Sequence, residues 1–125
     1  MKALLLVAHG SRRQESNDEV VRLTDKLKKN SSNHYDIFQV GFLEIATPAI
    51  DKGIELCITK GATSITVLPY FLNSGRHVIN DIPKLVQKTE QQFPGIKIEI
   101  APHIGSSDLM MTLLIDAANS VNSAD

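Results

Sequence analysis

A chain of 125 residues, 42% apolar and 22% charged, has room for one hydrophobic core and the balance of an ordinary water-soluble domain. Its net charge of −1 sets up no global field for nucleic acid or an anionic membrane surface, so any basic site must be a local cluster. A single cysteine, Cys57, excludes an internal disulfide and a thiolate metal cage.

In chain order, Met1-Lys2 followed by Ala3 to Ala8 imitates the start of a signal peptide. The apolar run is short, however, and it ends in His9-Gly10-Ser11-Arg12-Arg13 rather than a small-residue cleavage pattern. It reads as a buried parallel strand, apolar on both faces. Nothing approaches the roughly 20 apolar residues that span a bilayer, so the expected location is cytoplasmic. Ser16 and Glu19 next suggest a capping box, and Val20, Leu23 and Leu27 form a helical stripe. A second strand covers about Asp36 to Leu43. Thr47-Pro48 then offers an N-cap and a first-turn proline for a helix whose inner side is Ile50, Ile54, Cys57 and Ile58. On that stripe Cys57 is a core residue.

Ser64 to Tyr70 is the third strand, followed by a loop from Phe71 to Arg76. A helix with Pro83 near its start carries Ile82, Leu85, Val86, Thr89 and Phe93 on one side. The fourth strand covers about Ile96 to Ala101. The last helix starts near Ser106-Ser107-Asp108 and is expected to bury Leu109, Met110, Leu113, Leu114 and Ala117. Strand and helix alternate throughout, with no linker or repeat. Residues 1–125 are therefore expected to form a single α/β domain. Its doubly wound, parallel four-stranded sheet would have helices on both faces and the flavodoxin-like order 2-1-3-4.

In such a sheet, ligands bind beyond the carboxyl ends of the strands, where strands 1 and 3 lie side by side. His9 follows strand 1, and Glu44 follows strand 2. Asn73, Arg76 and His77 follow strand 3, and His103 follows strand 4. Imidazole suits a chemistry that needs a divalent-metal ligand or a base near neutral pH. Metal insertion into a tetrapyrrole needs both, because pyrrole protons leave as the ion arrives and the ion must be held loosely. Glu44 can take protons or hold the ion before transfer. An anion can rest on the Ser11-Arg12-Arg13 backbone and side chains.

Each residue also has a plainer reading. His9 can be a strand-end hydrogen-bonding residue, His77 a cap, Glu44 part of a helix lead-in, and the two arginines an exposed loop. His103 after Pro102 reads as a loop residue, and His34 among Asn and Ser as solvated.

His9-Gly10-Ser11-Arg12, Leu43 to Pro48, Val67 to Leu72, Gly75-Arg76-His77 and Asp81-Ile82-Pro83, in this order, resemble the short CbiX-type sirohydrochlorin chelatases. The resemblance implies a class II chelatase fold related to ferrochelatase, with this chain as one lobe and a homodimer completing the cleft. It implies insertion of Co²⁺, Fe²⁺ or Ni²⁺ into sirohydrochlorin. His9 and His77 would bind the metal and accept protons, and Glu44 would be a further catalytic candidate. Ser11, Arg12, Arg13, Asn73 and Arg76 would meet the carboxylate-rich macrocycle. No permanent cofactor, nucleic acid or membrane partner is implied; the metal is substrate. Where the family often carries a histidine after strand 4, this chain has Ile104-Gly105-Ser106-Ser107-Asp108.

Two rival readings use the same residues. A carrier would bind the metal or the metallated ring without turnover. A histidine phosphatase also places His-Gly after strand 1, but with Arg before the His, where this chain has Ala8.

Overall fold

The computed structural model describes residues 1–31, 33–76 and 80–122. The chain runs β1 (Lys2–Ala8), α1 (Gln14–Ser31), β2 (Ile37–Phe42), α2 (Ile50–Thr59), β3 (Ser64–Pro69) and α3 (Ile82–Gln92). It continues with β4 (Lys97–Ile100), a 3-10 turn (Ile104–Ser106) and α4 (Leu109–Asn119). All four strands are parallel, in the order β2-β1-β3-β4 expected from the alternation of elements.

The apolar run from Ala3 to Ala8 makes β1 the central strand, and every residue of that run is buried. Ala3, Leu5 and Val7 join Ile54, Cys57, Ile65, Val67, Ile82 and Val86 in the larger core, beneath α2 and α3. Side chains alternate across a strand, so Leu4, Leu6 and Ala8 point the other way. There Ala8 clusters with Val40 and Phe42 under Val20 of α1. Each fully buried Leu, Ile or Phe stabilises the fold by about 1.5–3 kcal/mol relative to exposure. α2 lies close on β2 because two glycines meet: a Cβ on Gly53 would sit 3.2 Å from the Val40 carbonyl oxygen and 3.5 Å from Cα of Gly41. At the sheet edge, β4 is short and buries only Ile98, while its exposed Lys97 and Glu99 pair at 2.9 Å. A charged, brief edge strand resists pairing with another sheet.

Two helix starts differ from the sequence expectation. α1 begins at Gln14, so Ser16 lies in the first turn instead of capping it, and its N–H donates to the Arg13 carbonyl at 3.0 Å. Asn17 secures the preceding loop instead: its Oδ1 accepts the Ser11 N–H at 2.9 Å, and its Nδ2 donates to the Ser11 carbonyl at 2.8 Å. α2 begins at Ile50, two residues beyond Pro48. The Pro48 carbonyl accepts the Phe42 N–H at 2.8 Å, and Phe42 bridges Ala49, so the sheet takes up the residues expected to open the helix.

The largest departure is α4. The five residues expected to be buried are not, and none of the helix is: Leu109 is 75% and Leu114 is 61% exposed. Its periodicity specified an apolar helix, but the body that covers an apolar helix is a non-local matter. No helix among the described residues is long and apolar enough to cross a membrane.

Cys57 behaves as its place on the α2 stripe predicts. It is fully buried, and burial pushes the thiol up to about 11, against the opposing pull of the Lys60 charge. Thiolate, not thiol, is the nucleophile. Native protein at pH 8 is therefore expected to leave a chromogenic disulfide reagent unreacted for as long as it stays folded, and to react with one equivalent on denaturation. A fast native reaction would show that the α2 side of the core opens.

Candidate metal and substrate site

His9 is the first residue beyond β1, at the carboxyl edge of the sheet. Because β1 is central, both neighbouring strands deliver a loop to it. On one side the parallel ladder continues past the ends of the strands: the Leu43 N–H donates to the Ala8 carbonyl at 2.9 Å, and the Glu44 N–H to the His9 carbonyl at 3.0 Å. This backbone register sets Glu44 beside His9, and the side chains meet, with Nε2 of His9 and Oε1 of Glu44 2.7 Å apart. On the other side the Tyr70 N–H donates to the Val7 carbonyl at 2.7 Å. That anchors the loop whose Phe71 ring meets the His9 ring edge-on, 6.5 Å between centroids. Loops after three strands thus converge on one imidazole.

The backbone around this pair is under constraint. Gly10 has φ +96°, and a Cβ there would lie 1.8 Å from the Glu44 carbonyl oxygen. Only glycine fits a close approach in the left-handed region. That same carbonyl accepts the Ala46 N–H at 2.7 Å, closing a tight turn at Ile45, whose φ is +69°. A β-branched residue held there costs of order 1–3 kcal/mol, and such strain persists where the surroundings over-determine it, often at a ligand site. Ile45 is itself exposed, so its own burial does not offset this cost.

The His9 and Glu44 side chains are 47% and 53% exposed, open to an incoming ligand. A half-open imidazole bonded to a carboxylate can bind a divalent ion weakly, and a carboxylate partner fixes the ring's orientation. Among the described residues, no three or more His, Cys, Asp or Glu side chains converge in a closed metal cage.

The other predicted residues distribute around this pair. Ser11 is tied to Asn17 and also accepts the Arg13 N–H on its hydroxyl at 3.0 Å. Arg12 and Ser11 line a cleft of about 280 Å³ with Ile45 and Thr47, next to Glu44. Arg13 points to Glu15 at 3.5 Å, an exposed pair of little energetic weight. Asn73 and Arg76 are exposed on the loop that Phe71 begins. His77 lies outside the described residues. His103 leads into the 3-10 turn beyond β4, in a groove with Leu68 and Leu109. His34 sits at the opposite, amino end of the sheet beside Lys2 and Tyr35.

Sequence reasoning missed two residues that shape the site. Phe71 reads as one apolar residue in a loop, and nothing local says that its ring meets His9. Asn17 did leave a signal: a polar residue at the inward position three before Val20, and it is buried.

Residues 3–121 match the model of the CbiX family. The chain is 35% identical to a sirohydrochlorin ferrochelatase of Priestia megaterium, a match that covers 98% of this chain and 45% of that protein. It is 30% identical to a sirohydrochlorin cobaltochelatase of Methanococcus maripaludis, covering 97% of this chain and all of that protein. Among solved structures, the sirohydrochlorin chelatase SirB from Bacillus subtilis subspecies spizizenii, in complex with cobalt, superposes with a TM-score of 0.86 at 28% identity. That superposition covers 96% of this chain and 50% of SirB. The chain thus spans about half the length of the Priestia and Bacillus proteins.

Proposed function

The chain belongs to the CbiX family, and from that premise we propose that it inserts a divalent metal ion into sirohydrochlorin. The observation that carries this reading is the His9–Glu44 pair, formed at the sheet's carboxyl edge and half open to solvent.

Insertion exchanges one divalent ion for two inner N–H protons of the macrocycle. His9, together with His77, which follows β3 in the chain, holds the ion and accepts those protons. Glu44, bonded to Nε2 of His9, passes them to solvent. Two imidazoles and a carboxylate hold a metal loosely, whereas a closed four-ligand site would retain it. The substrate carries many carboxylates, so Ser11, Arg12 and Arg13 on one side and Asn73 and Arg76 on the other serve to dock it. Residues 1–125 act as one cytoplasmic lobe, and a second copy closes the cleft over the ring as a homodimer. No resident cofactor takes part; the metal is substrate.

Imidazole accepts cobalt, iron and nickel alike. The deciding experiment follows the visible absorbance of sirohydrochlorin mixed with each metal in turn, with and without the protein. Accelerated, multiple-turnover release of metallated product is expected for at least one metal. One ring bound per dimer without release would identify a carrier instead, and no interaction with the ring would sink both readings.

Glu44→Gln keeps the size of the side chain and an acceptor oxygen but removes the charge. Insertion is expected to slow by about tenfold, in the range found for partners of metal-ligating histidines. The fold should not change, because the structural bonds at this position belong to the Glu44 backbone. Equal rates for the variant and the parent would remove Glu44 from the proton path.

A further inference from the structure

Outside α4 and the chain ends, the two most exposed large apolar side chains among the described residues are Leu72 at 63% and Ile45 at 58%. Both stand in the loops that meet His9: Ile45 follows Glu44, and Leu72 follows Phe71. Each loop also turns an apolar residue inward, since Leu43 and Phe71 pack against the core. One apolar side chain per loop is covered and another is held in solvent.

A single exposed leucine or isoleucine is ordinary. The backbone at Ile45 is not. Its φ of +69° lies in the left-handed region, where a β-branched residue is an outlier and glycine or asparagine sits at lower cost. With most of the side chain in solvent, the fold by itself gives no reason for an isoleucine here. The side chain does have a defined place, because it lines the cleft of about 280 Å³ together with Arg12. The Arg12 guanidinium is exposed and has no ion pair among the described residues. On the far side of the His9–Glu44 pair the combination recurs, with Leu72 followed by the exposed Asn73 and Arg76.

We propose that Ile45 is a substrate-contact residue whose side chain lies against the flat face of the tetrapyrrole, with Leu72 as its counterpart across the metal pair. The inference rests on the reading of sirohydrochlorin as the bound ring, and not on its metallation. A carboxylate-bearing macrocycle is apolar over its faces and anionic around its rim. Such a ligand needs apolar contacts beneath it and cations at its margin, the mixture that small-molecule sites provide. Ile45 and Leu72 supply the first, and Arg12 and Arg76 the second. A ring resting on both side chains has its centre over the His9–Glu44 pair that stands between the two loops. The isoleucine is then buried only when the ring arrives, which is where its apolar surface is used.

The test compares Ile45→Asn, Ile45→Leu and Leu72→Asn with the parent in two measurements. One is urea unfolding; the other is titration of the metal-free protein with sirohydrochlorin, followed by visible absorbance. Asparagine adopts the left-handed region readily, so Ile45→Asn leaves the turn in place while removing the apolar contact. It is expected to raise the urea midpoint and to weaken ring binding by about fivefold or more, as for loss of a partly buried aliphatic side chain. In steady state, KM for the ring should rise in the same proportion with kcat unchanged, as when uniform binding is lost. Ile45→Leu keeps an apolar side chain of equal volume, and its ring affinity should stay within about twofold of the parent. Leu72→Asn should weaken binding as Ile45→Asn does, but with no gain in midpoint, because Leu72 lies outside the left-handed region.

Unchanged ring affinity in either asparagine variant overturns the proposal, and a change in oligomeric mass in its place would assign these side chains to a protein contact. A lowered midpoint in Ile45→Asn also overturns it, because the fold itself then uses the isoleucine. A parent that binds the ring but never metallates it would sink the chelatase reading and leave this inference standing. A parent that metallates the ring, with affinities indifferent to both asparagine substitutions, would do the reverse.

Discussion

Replacing His9 with alanine is expected to slow metal insertion into sirohydrochlorin by roughly 100-fold or more while the protein stays folded. On the mechanism proposed here the imidazole has two tasks, as metal ligand and as first proton acceptor. Removing a general base alone typically costs 10²–10⁴-fold, about 3 kcal/mol or more of barrier. The stability side is small by comparison. His9 is half exposed, Glu44 can turn toward solvent once it is gone, and Phe71 keeps its packing against the core. A change of about 1 kcal/mol or less in unfolding free energy is expected. Initial rates at saturating ring and metal, set beside a urea unfolding curve, separate the two effects. His77→Ala should show the same pattern. Undiminished rates in both variants would mean that the chemistry lies elsewhere.

Gly10→Ala is expected to damage both stability and activity, and through the backbone. The added methyl would stand 1.8 Å from the Glu44 carbonyl oxygen, at a φ of +96° that an L side chain resists. The left-handed conformation alone costs about 1–2 kcal/mol, and the overlap can be relieved only by moving one loop away from the other. A total loss of at least about 2 kcal/mol is expected, read as a lower urea midpoint with an unchanged slope. Because that movement pulls the Glu44 backbone off the His9 carbonyl, insertion should fall with it. A variant of parental stability and rate would show that the two loops are not packed as described. Comparing this variant with Glu44→Gln is informative, since one disturbs the placement of the pair and the other only its charge.

The open architecture of the site suits a reaction that ends by giving the metal away. On the function proposed here a deep, closed cage would bring no gain, and among the described residues there is none. On the mechanism proposed here, the strain at Ile45 and the narrow fit at Gly10 would serve the complementary need of fixing where His9 and Glu44 stand before the ion arrives. Preorganised placement is what makes a two-ligand site effective, since little order then remains to be imposed on binding.

The sequence alone determined the features that depend on residues close together in the chain. The unbroken apolar run from Ala3 to Ala8 required a strand covered on both faces, and the Ile50, Ile54, Cys57 stripe required an inward helix side. Strict alternation of strand and helix then led to a parallel sheet with its ligand edge at the residues after each strand, which is where His9 and Glu44 stand. Only the tertiary structure decided what depends on register and on bodies far apart in the chain. The contact of His9 with a carboxylate 35 positions away needs the β1–β2 ladder to run on by two residues, a fact no local pattern carries. The start of α2 was decided by Phe42 reaching Pro48, and the loop at Ser11 by the buried Asn17. α4 shows the same limit most clearly. Its composition says that the helix must be covered, but periodicity is a property of one helix, whereas the surface that covers it is set by how the whole chain folds and what it meets.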